Sequence, residues 1–182
     1  ASLLSSRGFG HSRITVLENM GGSREQIYNG KAKSWNFSEG SALNTLAIEC
    51  IEEAKSDLLS RIAGLPDSAF EHDGKLTKQE VRSSVLAKLM PFPDHLLWDI
   101  GAGCGSVAIE WMRSHPNCHA IAVERFEDRL KMIRNNADAL GAPMLETIQG
   151  EFPGIIHQLP RPDAVFLGGG ISFESLERCW EA

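Results

Sequence analysis

Residues 98–111 read WDIGAGCGSVAIEW, with Gly101, Gly103 and Gly105 alternating directly behind an apolar run. Glycine lets a backbone turn tightly and approach a ligand with no Cβ in the way. In open α/β sheets ligands sit outside the carboxyl ends of the strands, so a glycine turn after a strand is a candidate binding turn. Two common ligands suit it, a dinucleotide and S-adenosylmethionine.

The dinucleotide fingerprint, G-x-G-x-x-G or G-x-G-x-x-A, ends in a small residue that lets helix and strand pack closely. Here Ser106 holds that position and the third glycine comes one place earlier. The pattern is G-x-G-x-G, preceded by the acid Asp99. This spacing suits the amino-acid end of S-adenosylmethionine, which has no pyrophosphate to seat. The cofactor candidates in the turn are Asp99, Gly101, Ala102, Gly103, Cys104 and Gly105.

Two further markers follow in chain order. Glu124 ends the run AIAVE, where a carboxylate can accept from both ribose hydroxyls. Nicotinamide enzymes use an acid similarly, so this marker alone does not choose. The turn GEFP at 150–153 follows the third strand-like run. In such folds that turn borders the adenine, through the Glu151 side chain or the Phe152 backbone amide.

The elements around these markers are legible. T-K-Q-E at 77–80 reads as a capping box, with Thr77 as N-cap. Val81, Val85, Leu86 and Leu89 follow at helical spacing, and Pro91 and Pro93 stop that helix. Four strand-like runs come next: LLWDI at 96–100, HAIAV at 119–123, MLETI at 144–148 and DAVFL at 163–167. Phe126, Leu130, Ile133, Ala137 and Leu140 mark a helix over 126–140, with Gly141 as its C-terminal cap. Strand and helix in alternation predict an α/β fold: a mostly parallel, Rossmann-like sheet with right-handed crossovers, flanked by helices. A last helix begins near Ser172. A sheet that stops at its fourth strand has an exposed edge, so the sequence reads as cut at both ends or as part of a longer protein.

Residues 1–55 carry glycine pairs and short apolar runs, too few for a full domain; LNTLAIECI at 43–51 reads as a buried strand. Residues 56–75 contain Gly64, Pro66, Asp67, Asp73 and Gly74, all turn formers, and read as a linker. Residues 76–182 form the main domain.

The chain has 182 residues, 42% hydrophobic and 23% charged, the balance of an ordinary globular protein. A net charge of -6 gives no support for a general nucleic-acid surface. Cys50, Cys104, Cys118 and Cys179 form no C-x-x-C pair, which argues against a zinc site and a disulfide framework. A reducing, cytoplasmic setting fits that usage. No apolar run is long enough for a membrane span, and no signal peptide is expected.

The runs AFEHDGKLTKQEVRSSVLAKLMP, LWDIGAGCGSVAIEW, AVERFEDRLKMIRNNADALG and PDAVFLGGG together resemble one family, the precorrin-6Y C5,15-methyltransferases (decarboxylating) of cobalamin biosynthesis. The resemblance covers about 68–182 and implies a class I S-adenosylmethionine-dependent methyltransferase domain, incomplete after strand four. RGFGHSRITVLENMGGSREQI and ALNTLAIE resemble the tail of the family's other domain, a tetrapyrrole methylase fold. The family implies methylation at C5 by the N-terminal domain. It implies methylation at C15, with loss of the C12 acetate carboxyl, by the C-terminal one. The fused form resembles the oxygen-dependent route, whose substrate carries no cobalt at this stage. Carried over, the cofactor contacts fall on Thr77, residues 101–105, Glu124 and Phe152. Relatives usually read G-D-A-P where this chain reads GEFP, which puts the adenine pocket in question. Relatives of the C-terminal domain assemble as homotetramers.

The methyl acceptor is a carbon of an electron-rich tetrapyrrole, so positioning can supply much of the catalysis and proton loss needs only a modest acceptor. A polycarboxylate substrate calls for basic side chains: Lys75, Lys78, Arg82, Arg125 and Arg129 are candidates. Lys78 and Arg82, four apart in the specific motif, rank first. His72 and Asp73 could shuttle a proton. Gly168, Gly169 and Gly170 suggest close approach of a broad, flat substrate. No metal site is expected. The rivals are a nicotinamide oxidoreductase, a binding module that has lost the donor, and another small-molecule or RNA methyltransferase.

Overall fold

The structure, a computed structural model, describes residues 1–37, 40–53 and 59–182. It forms two compact units, Ala1–Leu59 and Ser60–Ala182. The boundary expected at 55–56 lies outside the described residues, as does the start of the expected linker.

The first unit holds a short helix α1 (Ser2–Ser6) and three strands, β1 (Arg13–Glu18), β2 (Gln26–Lys31) and β3 (Asn44–Glu49). They form an antiparallel sheet in the order β2-β1-β3. The strand expected near 43–51 is present but not buried: every residue of β3 is exposed. Its apolar residues reflect β propensity rather than a core. Among the described residues of this unit, Ile14 and Ala32 are the buried apolar ones.

The second unit runs α2 (Gln79–Leu89), β4 (Leu96–Ile100), α3 (Ser106–Ser114), β5 (His119–Glu124), α4 (Glu127–Leu140), β6 (Glu146–Gln149), β7 (Ala164–Leu167) and α5 (Phe173–Glu181). The four strands form a parallel sheet in the order β6-β5-β4-β7. β5 is buried from Ala120 to Glu124, as an inner parallel strand covered on both faces must be. The third strand starts later than the run MLETI, because Leu145 turns back to the Ala142 carbonyl and Met144 points to solvent. One face of the sheet packs Trp98, Ile100, Ile121, Val123 and Phe152 into a core cluster. Chain order runs β4 to β5 to β6 and then jumps to β7 on the other side of β4. The switch point therefore lies between the carboxyl ends of β4 and β7.

α4 follows the sequence pattern closely. Leu130, Ile133, Ala137 and Leu140 are buried, and Gly141 ends the helix at φ 85°. Phe126 is its N-cap residue and half exposed, so it lies outside the core face. At α5, Ser172 accepts from the Ser175 amide at 3.0 Å and Ser175 returns the bond.

α2 departs from expectation twice. It begins at Gln79 with Lys78 as N-cap and no side-chain capping bond, so the box read at 77–80 does not form. Its buried residues are Arg82 and Leu86, while Val81 is 55% exposed. The polar partners of Arg82, described below, turn that side of the helix inward. The residues read as linker also differ: the segment from Ser60 belongs to the second unit, with Leu65 and Phe70 buried.

Gly105 sits at φ 78°, and a Cβ there would lie 2.9 Å from Ile133 Cγ2. Gly105→Ala therefore combines left-handed strain with a clash against α4. It is expected to cost about 2 kcal/mol or more of stability. Chemical denaturation checks this, and an unchanged midpoint contradicts it.

Candidate active site

A cavity of about 600 Å³ opens at the carboxyl ends of the parallel strands. Of the cofactor candidates named from the sequence, Gly101, Ala102, Gly103, Glu124, Glu151 and Phe152 line it. Thr77 and the glycines of 168–170 line it too.

The glycines divide by role. A Cβ on Gly101 would lie 2.9 Å from the Gly169 nitrogen, and one on Gly168 would lie 2.9 Å from the Gly101 oxygen. The two turns meet backbone to backbone across the switch point. Gly169 and Gly170 face open space, so their Cβ positions are free for a ligand. Gly103, at φ 62°, passes close to the Lys75 carbonyl.

Glu124 is only 3% exposed. Its Oε2 accepts from the Gly103 amide at 3.0 Å; its Oε1 accepts from the amides of Arg125 at 3.0 Å and Phe126 at 3.2 Å. Arg129 lies 3.8 Å away. The carboxylate is thus fixed in place before any ligand arrives. Each of its oxygens can accept more than one bond, so a ribose diol fits this group.

Other sequence candidates lie elsewhere. Asp99 does not line the cavity: its Oδ2 accepts from the Ala108 amide at 3.0 Å and so ties β4 to α3. Its Oδ1 has no hydrogen-bond partner among the described residues. Cys104 is buried away from the cavity, its carbonyl accepting from Asn136 at 3.0 Å; burial pushes its thiol up. Gly105 packs against Ile133 instead of a ligand. It does the packing job that the dinucleotide fingerprint gives its last small residue. The glycine spacing therefore does not by itself separate the two cofactors.

The ranking of basic residues is reversed. Arg82 is fully buried and makes four polar contacts, described below, so it does not face the cavity. Lys78 lies outside the cavity lining and pairs with Asp67 at 3.4 Å. Lys75, Arg125 and Arg129 line the cavity instead. Arg125 and Arg129 stack on the Phe126 ring at 4.6 and 5.1 Å. The Glu151 side chain is exposed and 3.3 Å from Arg125.

His72 and Asp73 form a loop and do not line the cavity. His72 Nδ1 accepts from the Gly74 amide, and Asp73 pairs with Arg129 at 2.8 Å. The Lys75 amide and the Arg129 guanidinium hold the Asp73 carboxyl below its ordinary range, which makes it a poor proton acceptor. The departure at 150–153 is resolved by packing. The Phe152 ring turns to the Trp98 ring, 6.3 Å between centroids, so it fills the core while its residue borders the cavity.

Asn136 and Glu110 escaped the sequence reading. Each is a polar residue on the buried face of its helix, beside Ala137 and Trp111 respectively. That position was the available signal, since buried polar groups carry partners.

A parallel sheet with a glycine turn behind one strand and a fixed acid behind the next is a Rossmann-like nucleoside-binding arrangement, and the relatives assign it to the class I methyltransferases. The chain belongs to the precorrin methyltransferase domain family, whose model matches residues 68–182. It is 44% identical over 170 residues to a precorrin-6Y C(5,15)-methyltransferase [decarboxylating] of Sinorhizobium sp., covering 93% of this chain and 41% of that protein. The chain thus spans less than half the length of such full-length relatives. The solved C-terminal domain of precorrin-6Y C5,15-methyltransferase from Rhodobacter capsulatus superposes with a TM-score of 0.64 at 44% identity, covering 68% of this chain and 66% of that one. The precorrin-6Y C5,15-methyltransferase structure from Geobacter metallireducens gives 0.61 at 36% identity, covering 65% and 64%. Among the described residues no helix is long and apolar enough to cross a membrane.

Burial pushes the Asp99 carboxyl up to about 7; the Ala108 amide opposes this and the charge of Glu124 adds to it. The native state therefore holds this proton more tightly than the unfolded chain, and stability falls as pH rises from about 4 to about 7. Asp99→Asn keeps an oxygen for the Ala108 amide and removes the ionisation. The variant is expected to gain on wild type across that window, on the order of a few kcal/mol by pH 7. Melting temperatures across the range check this; a difference independent of pH contradicts it.

Proposed function

We propose that the second unit binds S-adenosylmethionine in this cavity and methylates a carbon of a reduced tetrapyrrole of the precorrin-6Y type. The reaction is methylation at C15 with decarboxylation of the C12 acetate. In the whole protein a tetrapyrrole methylase domain, of which residues 1–55 are the tail, methylates C5. The identity with the Sinorhizobium protein, running through 93% of the chain, supports this division. The setting is a reducing cytoplasm, consistent with four free cysteines. The partners are a small tetrapyrrole, metal-free at this stage, and further copies of the chain, with neither nucleic acid nor membrane.

The observation that carries the reading is the fixed Glu124 carboxylate beside the Gly101 and Gly103 turn, which suits a nucleoside; the match to the precorrin methyltransferase domain family favours the methyl donor over a dinucleotide. When bound, the cofactor supplies an electrophilic methyl group on a sulfonium centre. Glu124 would hold the ribose, Thr77 and the turn at 101–103 the amino-acid end, and the 150–152 turn the adenine. Gly169 and Gly170 leave an open surface on which a flat macrocycle can lie. Lys75, Arg125 and Arg129 place positive charge at the cavity for its carboxylates. Holding both reactants in line is worth several kcal/mol of barrier without a strong base.

Titration calorimetry with S-adenosylhomocysteine is expected to show micromolar binding, with NADH silent. Glu124→Gln, which removes the charge and half the acceptor capacity, is expected to weaken binding about tenfold. Binding of NADH in place of S-adenosylhomocysteine contradicts the assignment.

A further inference from the structure

Of the most specific motif of the sequence, FEHDG followed by TKQEVR, Thr77 lines the cavity, while His72, Asp73, Lys78 and Arg82 do not. Its arginine is buried and engaged through all its guanidinium nitrogens. Arg82 is 0% exposed. Its Nε donates to Glu110 Oε1 at 2.6 Å, one terminal nitrogen to the carbonyl of Thr77 and to Asp67 at 3.3 Å, and the other to the carbonyl of Leu65. The Phe70 ring lies 4.8 Å from its guanidinium carbon. Glu110 in turn accepts from the amides of Gly64 and Leu65.

All these partners except Glu110 belong to one stretch, residues 64–77. That stretch ends in Lys75, Leu76 and Thr77, which form a wall of the cavity. Its middle is held by Asn136, which accepts from the Glu71 amide at 2.8 Å and donates to the Glu71 carbonyl at 2.8 Å. The stretch is a strap, fastened by buried polar side chains of α2, α3 and α4. Arg82 fastens both ends of it, at Leu65 and at Thr77.

We infer that Arg82 is a positioning residue: through the Thr77 and Leu65 carbonyls it sets the wall at 75–77, and so sets ligand affinity without touching the ligand. This rests on the cofactor assignment above and adds to it a residue outside the cavity. A guanidinium is suited to the task because its planar fork serves several acceptors at once; an ammonium cannot reproduce that. Arg82→Lys keeps the charge opposite Glu110 and loses the fork. It separates positioning from simple charge neutralisation.

The test measures S-adenosylhomocysteine affinity, and hydrogen exchange at 71–77, in wild type, Arg82→Lys and Leu140→Ala. Leu140 is buried at the C-terminal end of α4, and its truncation lowers stability while leaving Arg82 and its four polar partners unchanged. The expected result is a tenfold or greater loss of affinity in Arg82→Lys, with faster exchange at 71–77. Leu140→Ala should stay within twofold of wild type in affinity at a comparable loss of melting temperature. Equal affinity in Arg82→Lys and wild type overturns the inference, and so does an equal loss in Leu140→Ala. If wild type binds no S-adenosylhomocysteine, the cofactor assignment fails; the exchange comparison then decides the positioning role alone. If Arg82→Lys does not fold, Asp67→Ala removes a partly exposed partner of Arg82. A two- to threefold weakening is then expected, and an unchanged affinity overturns the inference.

Discussion

Two main chains meet at the switch point with no side chain between them. Gly101 and the Gly168–Gly169 turn approach so closely that a Cβ on either side would fall at about 3 Å from the other's backbone. This contact sets how near β4 and β7 can deliver their loops. It also fixes where the open space over Gly169 and Gly170 begins. The cavity exists because the strands diverge in order there. Its shape exists because glycine lets both turns reach the same place.

Around that contact the site is built mostly from backbone and fixed charges. Glu124 is held by three amides and approached by Arg129. The opposite wall comes from a strap with few regular elements, and it is shaped by Arg82, Glu110 and Asn136 rather than by apolar packing alone. Partnered in this way, buried polar groups specify one arrangement more sharply than oil-like packing does. Breaking one partner leaves another charge stranded, so such a wall is coupled to the helices behind it.

The parts legible in sequence were those governed by local periodicity or by glycine. β4 matches its apolar run residue for residue, and α4 ends at Gly141 as its pattern requires. Gly101, Gly103 and Glu124, which line the cavity, were legible as candidates because a turn behind a strand and an acid behind the next are local signals. Arg82 was misread because the i,i+4 relation to Lys78 says which residues share a face, not whether that face is inside. Its partner Glu110 is 28 residues away, and no local pattern announces such a pair. Asp99 was read as a ligand from its place beside the glycines. Strand alternation turns it instead toward α3. β3 was read as buried from composition, yet burial depends on what packs against a strand, which composition does not carry.

The most direct measurement is a two-dimensional amide spectrum of the isotope-labelled chain, recorded while S-adenosylhomocysteine is added. The residues expected to shift are those at 101–103, 124–126, 150–152 and 168–170, together with the strap residues 75–77. Shifts confined to another surface, such as the exposed side of α2 around Val81, would contradict the assignment of this cavity as the cofactor site.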